Sequence, residues 1–384
     1  MENIRLGIVG LGNMGKFHAD YLLEGKVPRC SLAAVSDQSP ASLDLFPQAK
    51  RYLDWSEMIR SGEIDAILIA TPHFSHPTIG IAALEHGLHV LVEKPIAVQK
   101  ADAERLIAAS RAKPELTFAG MFQFRSDPRY QKLKSLVETG ELGQLARTSW
   151  IVTDWYRTEA YYASGGWRAT WRGEGGGVLL NQCPHNLDLW QWICGRPSKV
   201  RAFCQLGRYH DIEVEDSVTA FVEYPSGATG TFVTSTGEAP GTNRLEIVGE
   251  RGKVVLEHGR IQFTRNETSM FEFSRSSKAG FAKPEVWNIE IPFPAHGAEH
   301  HVILQNFINA ILDGEKLISP GADGLWSVEL ANAMLYSSLT GQTINLPLDA
   351  QAYEARLKEL IASSTKEKKV VNSTAEDFAK SFNR

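Results

Sequence analysis

The sequence predicts an α/β protein in two main parts: a doubly wound parallel sheet, then an α+β unit around a mostly antiparallel sheet. Three observations predict it. Short apolar runs alternate with amphipathic helical stretches through the first 122 residues, which is the pattern of βαβ units. From about residue 199 to 293, strand-like runs separated by turn glycines replace that alternation, the pattern of antiparallel pairing. At 384 residues the chain is also longer than a single core usually grows. We therefore expect domains over residues 1–122 and 123–348, with a helical and charged tail over 349–384.

Residues 4–9 form the first apolar run and lead into Gly10-Leu11-Gly12-Asn13-Met14-Gly15, which opens a helical pattern. Gly10 permits the tight turn, Gly12 lets the backbone approach a pyrophosphate, and Gly15 lets helix and strand pack closely. The N–H groups of Asn13 and Met14 at the helix start would face the phosphate charge. A second run, 32–36, ends at Asp37, an acid placed to accept hydrogen bonds from the adenosine ribose hydroxyls. Strand, turn, helix, strand and acid fall in the order of a dinucleotide-binding Rossmann unit. Asp37 would repel a 2′-phosphate, and Gln38-Ser39-Pro40 brings no arginine to bind one, so NAD is expected over NADP.

Further strands are expected over 64–70, 89–92 and 116–121, with helices over 75–86 and 101–112. The second part should hold a helix over 130–138, a long strand over 145–155 and a helix over 177–194. Strand-like runs then follow at 200–203, 218–224, 229–234, 245–248, 253–256 and 260–263. Helices over 300–312 and 324–339 come next. A short tail helix carries Tyr353, Leu357 and Ile361 on one face, and the stretch Lys366-Glu367-Lys368-Lys369 reads as solvated or loosely packed.

Composition excludes several functions. A net charge of −5, with 43% hydrophobic and 22% charged residues, gives no footprint for nucleic acid or a membrane surface. No run reaches transmembrane length. The four cysteines include no C-x-x-C pair, which suits reduced thiols, and with a strand starting at residue 4 we expect no signal peptide and a cytoplasmic protein. Cys183 reads as a small buried thiol. His296, His300 and His301 lack the order of H-E-x-x-H and open an amphipathic helix, so no metal is expected.

Ligands of doubly wound sheets bind outside the carboxyl ends of the strands. Thr71, Pro72, His73 and His76 follow one such end, and Glu93-Lys94-Pro95 follows another. A lysine leaving a strand tip there can hydrogen-bond a substrate hydroxyl and stabilise charge on its oxygen. Taken alone, a strand-end lysine is more often a surface residue. Farther on, Gly175-Gly176-Gly177 precedes Asn181 and His185, four residues apart and expected on one helix face. An imidazole titrates near neutrality and suits a base that removes a hydroxyl proton.

Together with His18, Gln123-Phe124-Arg125 and Trp167-Arg168, these motifs resemble the Gfo/Idh/MocA family of oxidoreductases, over nearly the whole chain to about residue 347. The resemblance implies an open sheet in the second domain, homodimers or homotetramers built through it, and Lys94 and His185 as the catalytic pair. Many sugar and cyclitol dehydrogenases of the family carry aspartate four residues before the histidine, where this chain has Asn181. An amide brings hydrogen bonds without charge, so His185 is expected to be a weaker base here. Asp188, one turn on, either compensates for that lost charge or makes a structural contact.

The site so expected has catalytic Lys94, His185 and Asn181. Cofactor contacts fall to the glycine motif, Asp37, Thr71, Pro72, His73, His76, Glu93, Lys94 and Gln123. Substrate contacts fall to Lys94, Arg125, Asp154, Tyr156, Trp167, Arg168, Asn181 and His185. The aromatic density between Trp150 and Trp171 suits a sugar or aglycone ring, and equally an oligomer interface. The expected reaction is hydride transfer between NAD and a secondary hydroxyl or ketone of a sugar, glycoside or cyclitol. Glycoside cleavage through transient oxidation and a non-catalytic sugar or dinucleotide sensor are the alternatives.

Overall fold

The computed structural model describes residues 2–294 and 299–366. In the first part, six strands form one sheet: β1 (Ile4–Val9), β2 (Cys30–Ser36), β3 (Lys50–Tyr52), β4 (Ala66–Ile69), β5 (His89–Val92) and β6 (Phe118–Gly120). Their order is β3-β2-β1-β4-β5-β6 and every pairing is parallel. The order reverses between β1 and β4, which opens a crevice at their carboxyl ends. All four residues of β4 are buried, as expected of a strand covered by helices on both faces.

The second part is a nine-stranded sheet. Its strands are β7 (Leu145–Val152), β8 (Lys199–Leu206), β9 (Glu215–Glu223), β10 (Thr229–Ser235), β11 (Asn243–Gly249), β12 (Gly252–Glu257), β13 (Arg260–Asn266), β14 (Val286–Ile291) and β15 (Ile344–Asn345). They run in the order β14-β13-β12-β11-β7-β10-β9-β8-β15, antiparallel except for β7 beside β10. Along β9 buried and open residues alternate, so one face is covered and the other is not. Trp150 and Phe232 fill the covered face, where Trp190 of the helix Pro184–Cys194 stacks on Phe232, while Phe203 remains 62% exposed on the other.

Several expectations are corrected. The long strand ends at Val152. The helix expected over 177–194 begins only at Pro184. Pro184 suits a first helical position because it has no N–H to satisfy, and the preceding turn is held by Glu215. Its carboxylate accepts from Gly177 N–H at 2.9 Å and Leu179 N–H at 3.0 Å. Asn181 therefore sits in that turn, ahead of the helix. The helix His300–Asp313, assigned to the second domain by its place in the chain, packs through Ile303, Leu304 and Phe307 among Ile4, Leu6 and Ile8 of the first. Lys366 does not stand in solvent: its backbone N–H donates to Glu213 at 2.9 Å and its ammonium pairs with Asp211. His296 and residues 367–369 lie outside the described residues.

Candidate active site

At the β1 carboxyl end, Gly10 has φ +88°, and a Cβ there would lie 2.7 Å from Ala70 O. A Cβ on Gly15 would come within 1.8 Å of Gly10 O, so the helix Asn13–Leu23 can pack on the strand only through glycine. Gly12 differs: a Cβ there meets nothing within 4 Å. The protein thus packs against Gly10 and Gly15 and leaves space over Gly12, at the start of a helix without a side-chain cap. Such a helix start suits phosphate. Asp37 shapes the same loop, taking Leu11 N–H on Oδ2 at 2.7 Å and Ser39 N–H on Oδ1 at 2.8 Å.

Four polar atoms around the crevice are buried with no partner among the described residues: Thr71 Oγ1, His73 Nδ1, Gln123 Oε1 and His185 Nδ1. Unsatisfied buried groups are costly and rare. Together with the open space at Gly12, they fit a cofactor carrying phosphates, hydroxyls and an amide.

His76 and Glu93 lie behind this surface. His76 is fully buried, with Nδ1 2.8 Å from Pro95 O and Nε2 2.8 Å from Thr71 O. It ties the two strand-end loops together from inside, which corrects its expected cofactor contact. Glu93 meets His18 Nε2 at 2.7 Å, and that imidazole holds its carboxyl below the usual range against the opposing effect of burial. His300, which opens its helix, stacks edge-on against Phe17 and His18, and burial pushes its pKa down to about 3.

Lys94 reaches from the end of β5 into the second domain, where its Nζ donates to Asn181 O at 2.8 Å. An ammonium has three donors, so two remain. Burial lowers its pKa, Glu93 opposes that, and the charges of Arg168 and Arg157 lower it further. His185 lies beside Phe124, ring centres 4.7 Å apart, at the first turn of Pro184–Cys194. Burial drives its pKa well below 6.5, and the charge of Lys94 adds to the effect. The imidazole is therefore held in its neutral form near pH 7.

The Asn181 side chain is held from three sides. Tyr161 OH donates to its Oδ1 at 3.1 Å, Gln182 Nε2 donates to the same oxygen at 3.2 Å, and its Nδ2 donates to Glu174. Glu174 also accepts Ala169 N–H at 2.6 Å, where the chain turns at φ +59°. Sequence reasoning missed Glu174 as a site residue and offered Tyr161 only as one of the aromatics between Trp150 and Trp171. Arg168 donates to Tyr161 OH at 2.9 Å and stacks over Trp167, whose ring lies 5.1 Å from His73. Trp167 and Arg168 thus join the aromatic loop to the first domain's crevice.

Arg125 is placed elsewhere. Its guanidinium is buried and forked onto Asp188 at 2.8 and 2.6 Å, with Nη1 on Asp323 at 2.7 Å. These contacts engage each of its nitrogens, which corrects its expected role in binding substrate. Asp188 is likewise committed to Arg125. Asp154 Oδ2 accepts from Asn243 at 3.2 Å, at the end of the long strand. Tyr156 is 48% exposed. Cys183 is buried against Thr234, with its thiol pushed up to about 12. A cavity of about 400 Å³, lined by Arg5, Asp65 and His89 among others, lies at the amino ends of β1, β4 and β5, away from the crevice.

Comparison with known proteins agrees with this geometry. Residues 4–121 match the model of an oxidoreductase family with an NAD-binding Rossmann fold, and residues 130–255 match the GFO/IDH/MocA C-terminal domain. Levoglucosan dehydrogenase of Pseudarthrobacter phenanthrenivorans is 25% identical, over 90% of this chain and 99% of its own. The scyllo-inositol 2-dehydrogenase (NAD(+)) of Bacillus subtilis is 23% identical, over 90% and 97%. The crystal structure of the WlbA dehydrogenase from Bordetella pertussis in complex with NADH and UDP-GlcNAcA superposes with a TM-score of 0.76 at 27% identity, covering 90% of this chain and 100% of that one. Two domain models in order along the chain lead to one conclusion: the chain belongs to the Gfo/Idh/MocA family of oxidoreductases, and residues 4–121 are the family's NAD-binding Rossmann domain.

Proposed function

We propose that the protein is an NAD-dependent dehydrogenase acting between a secondary hydroxyl and the matching ketone of a sugar, glycoside or cyclitol. The observation that carries this reading is His185 Nδ1, buried and unpartnered beside the charge of Lys94, with the imidazole kept neutral by burial first and by that charge second. Relatives named for levoglucosan and scyllo-inositol support the substrate class.

Gly10, Gly12, Gly15 and the backbone of Asn13 and Met14 would receive the pyrophosphate. Asp37 would take the ribose hydroxyls, and Thr71, Pro72, His73 and Gln123 would line the rest. When bound, NAD supplies a hydride acceptor at nicotinamide C4. The chain's own groups handle the proton. His185, neutral by burial, takes it from the substrate hydroxyl. Lys94, anchored on Asn181 O, donates to the same oxygen and stabilises the charge that grows there. Trp167 and Arg168 present an aromatic face and a cation to the sugar. Assembly as a dimer or tetramer would use the uncovered face of the nine-stranded sheet, where Phe203 and Phe221 are exposed.

The test is incubation with NAD and a panel of sugars, glycosides and cyclitols, following NADH fluorescence and sugar products together. NADH formed in step with an oxidised product supports the reading. Aglycone released without NADH counts against it.

A further inference from the structure

The aromatic loop gathers positive charge on one side of the site. Arg157 Cζ lies 5.0 Å and Arg168 Cζ 4.8 Å from the centre of the Tyr161 ring. Tyr161 bonds to Asn181, which in turn holds Lys94, so all three cations belong to one chain of contacts. Both arginines lie close enough to Lys94 to depress its pKa.

The carboxylates of this region have other work. Glu174 serves Asn181 and Ala169 N–H, Glu159 accepts Asp211 N–H, and Glu238 accepts from Thr153. Arg157 forms no ion pair among the described residues. Its Nη1 reaches only a backbone carbonyl, Tyr156 O at 3.0 Å, and its Nε is buried without an acceptor. Trp155, 5.6 Å from Cζ, covers the guanidinium on another side. Aromatic faces repay part of the lost hydration of a cation but leave its in-plane donors unmet. A planar fork with unmet donors matches the paired oxygens of a carboxylate or phosphate.

We propose that the substrate carries an anionic group, a carboxylate or a phosphate, and that Arg157 receives it while Lys94 and His185 engage the reacting hydroxyl. The inference rests on the dehydrogenase reading above and narrows its substrate class. Arg168 adds a second positive charge on the same tyrosine, which raises the local concentration of an anionic ligand.

The test uses full-length protein loaded with NADH. D-glucuronate, D-glucose 6-phosphate and D-glucose are titrated at one ionic strength, following the quench of NADH fluorescence. At least one anion should bind about ten-fold more tightly than D-glucose, and which one does so separates carboxylate from phosphate. That preference should shrink as salt is added. Arg157→Gln should reduce it to about two-fold or less, and Arg157→Lys, which keeps the charge but not the fork, should restore part of it. Should Arg157→Gln fail to fold, the wild-type preference and its salt dependence decide. D-glucose binding as tightly as both anions, no binding by either anion, or a preference that survives Arg157→Gln would overturn the inference. NADH production from neutral sugars without any anion preference would remove this inference and leave the dehydrogenase reading standing. An Arg157-dependent preference with no NADH from any sugar would do the reverse.

Discussion

The ammonium of Lys94 donates to the backbone carbonyl of Asn181 at 2.8 Å, so the first domain's catalytic candidate is positioned by the turn that leads into His185. The two groups proposed to act on one substrate oxygen are set by the same short segment. Removing either should cost about 10²–10⁴-fold in turnover. Lys94→Ala and His185→Ala should each show this while still binding NADH, as fluorescence titration would reveal. Loss of cofactor binding with unchanged turnover per bound cofactor would assign them to the cofactor instead.

Gly12 and Gly15 separate binding from folding. Gly12→Ala adds a methyl where the protein has no atom within 4 Å. Its thermal unfolding should stay within about 0.5 kcal/mol of wild type, while NAD affinity falls about ten-fold or more. Gly15→Ala would press a methyl onto Gly10 O and should unfold at clearly lower temperature. Equal effects of the two substitutions on NAD affinity and stability would contradict this division.

Glu174 should act on the site through Asn181. Glu174→Ala leaves Asn181 Nδ2 and Ala169 N–H without their acceptor, at a cost of about 1–3 kcal/mol, and should lower kcat more than it raises KM. Glu174→Gln keeps an acceptor but brings a second amide toward Asn181 and should fall between. A Glu174→Ala enzyme with wild-type kcat would make its role purely structural.

The pH dependence has a definite sign. Because the folded state depresses the pKa of His185, the unfolded chain binds a proton that the native imidazole refuses once pH falls below about 6.5. Stability from this group is therefore full above that pH and declines as pH drops toward the lower folded value. The acid limb of kcat/KM should lie below 6.5 for the same reason. Asn181→Asp, which adds a negative charge nearby, should move the limb upward. A limb unmoved by that substitution would show that residue 181 does not tune the base.

Arg125 and Asp188 should matter to stability rather than to substrate affinity. Both are almost fully buried, and deleting Asp188 removes two of the three carboxylate bonds that hold the buried guanidinium, leaving it only Asp323. Asp188→Ala should cost about 3–5 kcal/mol in denaturant unfolding. An effect confined to KM, with the unfolding midpoint unmoved, would return Arg125 to the substrate site.

What was legible in the sequence was local or periodic. The glycine turn and Asp37 were readable because each residue answers a constraint within one βαβ unit, and the alternating strands because burial of one face repeats every second residue. The misreadings came from contacts that cross long stretches of chain. Arg125 looked like a ligand-facing cation because its partners are 63 and 198 residues away. His76 followed a strand end, as a cofactor contact would, yet both its nitrogens meet backbone carbonyls. Glu174 gave no signal: it sits in a glycine-rich turn without periodicity, and its partner Ala169 adopts a left-handed conformation that composition does not announce. The helix starting late, at Pro184, was hidden because its preceding turn is fixed by Glu215, on a strand about 30 residues downstream.

The most direct measurement is a single-turnover reaction of NAD-loaded enzyme with its best substrate, comparing wild type, Lys94→Ala and His185→Ala. The expected result is one NADH per oxidised product in the wild type and a rate reduced by about 10²–10⁴-fold in each variant. Product without NADH in the wild type, or unimpaired NADH formation in both variants, would contradict a dehydrogenase built on Lys94 and His185.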